Sequence, residues 1–97
     1  MTDPATGPMA DRIFQRLTAA LSPTALTVSN DSGQHRGHMG DDGSGETHFS
    51  VSVESAAFAG LTRVARQRLV NHALADLMAP GGIHALAIRA RAPGDPA

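Results

Sequence analysis

The sequence predicts a small α/β domain, a two-layer sandwich in which helices cover one face of a three-stranded mixed sheet. Two observations lead to this prediction. Three short segments alternate apolar and polar residues, as half-buried strands do. Two longer segments carry apolar residues at helical spacing. Because each strand keeps one polar face, we expect the helices to lie on the other face alone. The length of 97 residues fits one domain.

The first half of the chain predicts one helix and two strands. The helix covers residues 9–21 and ends at Ser22-Pro23, because proline disfavours helical backbone at the residue before it. The strands cover residues 25–32 and 47–55, and we expect them to be antiparallel. The residues predicted to face inward from the helix are Ile13, Phe14, Leu17, Ala20 and Leu21. Those predicted to face inward from the strands are Leu26, Val28, Phe49, Val51 and Val53. His48 has the outward parity and is interpreted as a structural or surface residue.

The second half predicts the longest helix, at residues 62–79, followed by a strand at 83–91. Thr62 is a plausible N-cap, and Pro80-Gly81-Gly82 ends the helix. The predicted apolar stripe of this helix is Ala65, Leu69, Val70, Ala73, Leu74, Leu77 and Met78. A right-handed crossover would make the last two strands parallel. We therefore predict a domain at 9–91 between flexible termini at 1–8 and 92–97.

Composition narrows the classes of function. Eight arginines, no lysine and nine acidic residues give a net charge of −1, which argues against a dedicated nucleic-acid protein. Without cysteine, any bound metal must use histidine, carboxylate or a partner's ligands. No secretory signal or membrane span is seen, so we expect a soluble, cytoplasmic protein. No nucleophile or phosphate-loop motif is present, and an enzyme is not expected.

The segment Gly33–Gly45 has almost no residue that could pack into a core, so packing does not explain its presence. It holds five glycines and the histidines His35 and His38, with Met39 as its one large apolar residue. Loops of more than ~12 residues without their own structure tend to be functional or disordered. We therefore predict a functional loop between the first two strands.

Four segments resemble the BolA family, and together they span roughly residues 10–93. They are NDSGQH (30–35), THFSVSV (47–53), FAGLTRVARQRLV (58–70) and GGIHALAIRARAP (81–93). The resemblance implies an αββααβ order similar to the class II KH topology, which agrees with the pattern above. It also implies a short extra helical turn within residues 56–61.

The resemblance further implies an iron–sulfur adaptor. BolA-like proteins pair with CGFS-type monothiol glutaredoxins and share a [2Fe–2S] cluster, with glutathione supplied through the partner. The family's two ligand positions map onto His35, in the DSxxH pattern, and His84, in the HAL pattern. His38 is an alternative or additional ligand, because Gly37 leaves the backbone free to aim either ring. Imidazole is a competent iron ligand, as in Rieske-type centres. The expected role is cluster transfer or iron regulation.

Two other functions stay open at this point. Family members have been linked to DNA binding and transcription regulation, for which Arg63, Arg66 and Arg68 at the start of the long helix are the candidate contacts. The same arginines could instead dock a protein partner, and a structural interaction module without metal is the third alternative. The chain is expected to be a monomer or a weak homodimer on its own.

Overall fold

Two α-helices and three strands form the framework of the computed structural model, which describes residues 7–31, 48–78 and 82–95. In chain order the elements are α1 (Pro8–Leu21), β1 (Ala25–Asn30), β2 (His48–Glu54), α2 (Arg63–Ala73) and β3 (Ala85–Arg91). Short 3-10 turns lie at Ala56–Phe58 and Ala75–Met78. The first of them is the extra helical turn that the family resemblance implied.

The sheet has β2 at its centre and is mixed, as predicted. β1 pairs with β2 in antiparallel register, so that Val28 lies opposite Val51. β3 pairs with β2 in parallel register, so that Ile88 lies on the other side of Val51. These three side chains share one face of the sheet.

Both helices cover that face. α1 packs against β1, α2 packs against β3, and the helices contact each other. The inward residues of β2 are almost completely buried, as the alternation predicted. The buried apolar residues of the core are Ala10, Ile13, Leu17, Leu21, Val28, Phe49, Val51, Val53, Phe58, Val70, Leu74, Leu77, Ile83 and Ala92. The predicted two-layer α/β sandwich is therefore confirmed.

The buried stripe of α1 is narrower than the sequence pattern indicated. Ala10, Ile13 and Leu17 are buried at the spacing of an amphipathic helix. Phe14, which we expected to face inward, is 49% exposed, and Ala20 is also exposed. Each residue is turned by about 100° from its neighbour in an α-helix. The Phe14 side chain therefore points away from the core, although the adjacent Ile13 is completely buried.

The long helix begins as predicted but ends early. The Thr62 side chain accepts a hydrogen bond from the Ala65 N–H, as an N-cap does. The α-helix stops at Ala73, whereas the sequence pattern extended it to residue 79. The chain then tightens into a 3-10 turn, in which the Leu77 N–H donates to the Leu74 carbonyl at 2.9 Å. Within the described residues, no helix is long and apolar enough to cross a membrane.

The change of helix type also alters the predicted stripe. Leu74 and Leu77 are buried, but Met78 is more than one third exposed. Leu69, also predicted to face inward, is exposed for another reason, since it lies within α2 and is turned by about 100° from the buried Val70. A 3-10 turn has about 3.0 residues per turn instead of 3.6, so side chains after Ala73 follow a different angular spacing. Burial of Met78 was therefore wrongly predicted from a continuous α-helical period.

Candidate functional site

One end of the sheet brings together residues from distant parts of the sequence. β1 runs antiparallel to β2, and β3 runs parallel to it. The end of β1 and the starts of β2 and β3 therefore lie at the same end. Asp31 follows β1, His48 begins β2, and His84 directly precedes β3. We call these three residues the histidine edge.

The two histidines of this edge are neighbours. Their ring centroids are 6.3 Å apart and their planes differ by 15°. His84 is exposed and His48 is partly buried. His84 was predicted as a ligand and His48 as a structural or surface residue. The proximity of the two rings was not predicted, because His48 was assigned from its outward parity. The predicted parallel pairing of the last two strands could have indicated this proximity, because it places the residue before β3 near the start of β2.

The backbone beside His48 is firmly held. The Asp31 N–H donates a hydrogen bond to the His48 carbonyl at 2.7 Å, and Ser50 Oγ donates to the Asp31 carboxylate. β2 is also paired on both sides. Residues 32–47 connect Asp31 to His48, so both ends of this loop are attached to the histidine edge. The predicted ligands His35 and His38 lie outside the described residues.

A groove is lined jointly by strand residues and by the start of α2, and its lining is both polar and apolar. Its floor carries the hydroxyl groups of Thr27, Ser29, Ser50 and Ser52, and its volume is about 840 Å³. The lining is completed by Val51, Leu61, Arg63, Arg66, Gln67, Ala87, Ile88, Arg89 and Ala90.

The three arginines proposed to contact DNA have different surroundings. Arg63 and Arg68 are exposed on α2, and Arg63 lines the groove described above. Arg66 is partly buried, because its Nη1 lies 2.6 Å from Asp95 Oδ2 and its Nε donates to the Leu61 carbonyl at 3.0 Å. A DNA contact by Arg66 would require its side chain to leave Asp95. Of the three predicted arginines, Arg63 and Arg68 are thus surface residues, whereas Arg66 forms an ion pair between α2 and the segment after β3.

Asp95 links the segment after β3 to α2 through its carboxylate. Its carboxylate accepts a hydrogen bond from the Ala92 N–H at 2.9 Å as well as from Arg66. The Ala92 N–H and then the Arg66 guanidinium hold the pKa of Asp95 below its ordinary value. Ala92 is buried. Ordered contacts therefore continue beyond residue 91, at which we placed the boundary of the domain.

Asp95→Asn should remove a pH-dependent part of the stability. A carboxyl group whose pKa is lower in the folded state stabilises the fold above its unfolded-state pKa, and this contribution is lost as the pH falls through the folded-state value. We expect Asp95→Asn to unfold at lower urea concentration than the wild type at pH 7. The difference between the two proteins should shrink progressively below about pH 4.

A double-mutant cycle provides the control for this prediction. Arg66→Gln and Asp95→Asn should be non-additive, because each removes the same contact. Asparagine keeps an oxygen that can accept the Ala92 N–H, so the cycle isolates the ionic contact. A difference from wild type that stays constant between pH 7 and pH 3 would contradict the assignment.

Comparison with known proteins places the chain in a family. The model of the family described as "BolA-like protein" matches residues 17–95. Human BolA-like protein 1 is 48% identical over 89 residues, which cover 92% of this chain and 61% of the human protein. The structure of BolA1 from Arabidopsis thaliana has a TM-score of 0.80 at 35% identity and covers 95% of this chain and 100% of that one. The BolA domain of SufE1 from the same plant has a TM-score of 0.80 at 39% identity, covering 92% and 96%. The chain belongs to the BolA-like family.

Proposed function

We propose that this protein is an iron–sulfur adaptor, not an enzyme, that pairs with a CGFS-type monothiol glutaredoxin and shares a [2Fe–2S] cluster with it. His84 and one histidine of the loop, His35 or His38, are the ligands from this chain. The partner supplies a cysteine thiolate, and glutathione bound through the partner supplies the other. The observation that carries the proposal is the exposed imidazole of His84 at the end of the sheet where the histidine-bearing loop is attached.

The loop is long enough to bring a second imidazole to His84. Neighbouring strands lie about 4.8 Å apart, so the end of β1 and the start of β3 are separated by roughly 10 Å across β2. His35 follows Asp31 by four residues, and four extended residues span up to about 14 Å. His35 can therefore reach the histidine edge without any movement of the sheet.

The donor chemistry supports sharing with a partner. The sequence contains no cysteine, so all thiolates for a cluster must come from outside the chain. Imidazole is a good ligand for iron, and replacing thiolates by histidines raises the reduction potential of a [2Fe–2S] centre. His84 is exposed, so a partner can approach it directly. The hydrogen bonds at Asp31 and His48 hold the surrounding backbone while that approach takes place.

Anaerobic reconstitution tests this function. The protein is mixed with a CGFS glutaredoxin, glutathione, iron and sulfide, and size-exclusion chromatography is combined with visible circular dichroism. We expect a mixed complex that contains both chains and whose spectrum differs from that of the glutaredoxin reconstituted alone. If the cluster elutes with the glutaredoxin alone, and its spectrum is unchanged by adding this protein, the proposal is wrong.

A further inference from the structure

The free edge of β3 has no role in the function proposed above. β3 lies at one end of the three-stranded sheet and pairs on one side only, with β2. The Arg91 carbonyl accepts the Ser55 N–H, so the backbone groups of Arg91 face β2. The backbone groups of successive residues point to opposite sides of a strand, and those of Leu86, Ile88 and Ala90 therefore face the free edge.

This edge is open in its middle and closed at one end. Within the part of the chain that the structure describes, the backbone groups of Leu86 and Ile88 make no hydrogen bond on the edge side. Beyond them, Arg66 Nη1 lies 3.5 Å from the Ala90 carbonyl oxygen, and the Asp95 carboxylate accepts a backbone N–H of the segment after β3. The ion pair of Arg66 and Asp95 thus ends the open part of the edge, which is centred on Leu86 and Ile88.

The groove described above lies along the same edge. Its lining includes Ile88 and Ala90 of β3 together with Leu61 and Gln67 from the start of α2. Its volume of about 840 Å³ falls within the range of roughly 300–1,000 Å³ that is usual for ligand sites. Ile88 and Leu61 provide apolar surface, whereas the side chain of Arg89 points to the face of β3 opposite to that of Ile88. A strand added here would meet an apolar surface on one of its faces and a guanidinium on the other.

The charge beside this edge is positive and partly unpaired. Arg63 and Arg89 line the groove and are exposed, and neither forms an ion pair with another described residue. Arg66 also lines the groove, but Asp95 neutralises its charge. The groove is therefore locally basic, although the whole chain has a net charge of −1. Charge complementarity favours a ligand that carries carboxylates.

The chemistry of the edge favours a peptide over a nucleic acid. The open backbone offers both N–H donors and C=O acceptors, which the backbone of a second strand can satisfy together. Unesterified phosphate oxygens only accept hydrogen bonds and leave the carbonyls without a partner. Single-stranded nucleic acids also bind through bases that stack on aromatic side chains. The described residues that line the groove include no aromatic side chain.

We propose that the free edge of β3 binds an extended, acidic segment of a partner protein as a fourth strand. The backbones of Leu86 and Ile88 pair with this segment, while the side chains of Ile88 and Leu61 contact its apolar residues. Arg89 pairs with carboxylates on its other face, and Arg63 adds positive charge to the groove. The segment alternates apolar and acidic residues, because successive side chains of a strand point to opposite faces. The proposal depends on neither the glutaredoxin nor the cluster.

Hydrogen exchange followed by NMR tests the added strand. The probe is a peptide with blocked ends in which three glutamates alternate with four valines. Amide exchange of Leu86 and Ile88 should slow by about tenfold or more in an excess of this peptide, because their N–H groups gain partners. The amides of Ala87 and Arg89 already face β2 and should change much less. A copy of the peptide that is N-methylated at every residue should not bind, because it has lost its donors.

Matched variants separate this edge from other surfaces. Arg89→Glu should weaken binding of the peptide by about threefold or more. Arg68→Glu, at an exposed position of α2 outside the lining of the groove, should bind like the wild type. His84→Ala should also bind the peptide normally, so failure of cluster sharing and failure of this proposal are distinguishable.

Three results would each overturn the proposal. The first is an unchanged exchange rate of Leu86 and Ile88 in an excess of the peptide. The second is equal binding of the peptide and its N-methylated copy, since backbone pairing would then contribute nothing. The third is binding at this edge of a single-stranded oligonucleotide but not of the acidic peptide.

Discussion

His84→Ala is expected to abolish cluster sharing with a CGFS glutaredoxin. If His84 is the strand-borne ligand, its loss leaves one iron short of a donor that no neighbouring cysteine can replace, because the chain has none. Replacing even a residue that only supports a metal ligand typically costs 10- to 100-fold in affinity. We therefore expect at least a tenfold loss in the apparent affinity of the mixed complex for its cluster. The visible circular dichroism should revert to that of the glutaredoxin alone.

Matched variants make this result specific. His72→Ala removes an exposed helical histidine and should leave the spectrum unchanged. His35→Ala and His38→Ala, separately and together, identify the loop ligand, since the variant that loses the spectrum carries it. Far-UV circular dichroism of each variant verifies that the fold is intact. Equal spectra for wild type and His84→Ala would remove His84 from the ligand set.

Phe58→Ala is expected to cause the largest loss of stability. Phe58 is 0% exposed and lies in the 3-10 turn between β2 and α2, so its side chain belongs to the core that both layers share. Truncating a buried phenylalanine costs about 3–5 kcal/mol through lost burial and the cavity that remains. The total stability of a small domain is only about 5–15 kcal/mol. This one substitution should therefore remove a large part of the free energy of unfolding.

Urea denaturation followed by circular dichroism measures this effect. Phe14→Ala is the matched control, because Phe14 is the same residue type but 49% exposed on α1. We expect a change of about 1 kcal/mol or less for the control. Phe58→Leu should recover part of the loss and keeps the test informative if Phe58→Ala does not fold. Equal destabilisation by both alanine variants would show that Phe58 does not have the role assigned to it in the core.

The fold could be predicted from local patterns because each pattern reports on its own segment. The strict alternation of Phe49, Val51 and Val53 identified the buried face of β2 correctly. The spacing of Ile13 and Leu17 did the same for α1. One error arose where the period changed, in the 3-10 turn after Ala73, since a run of apolar residues does not reveal which helix type they adopt. Another arose beside a buried residue within one helix, where Phe14 is exposed next to Ile13.

The candidate site was less accessible from the sequence. His84 was identified through family resemblance, because a histidine before a strand has no distinctive spacing of its own. The contact of His48 with His84 was not predicted, since the alternation of His48 with Phe49 indicated only an outward side chain. The ion pair between Arg66 and Asp95 was not predicted, because the sequence does not show which of the three arginines lies beside that carboxylate.

The sequence alone determined the order of the elements, the inward face of β2 and the absence of thiolate ligands from this chain. It also carried the BolA-like resemblance. The tertiary structure decided which distant residues meet. His48 and His84 are 36 positions apart, and the parallel register of β2 and β3 makes them neighbours. Hydrophobic periodicity is a local property, whereas strand register depends on how all the buried faces pack together. For that reason the pairing of the two histidines could be seen only in the folded chain.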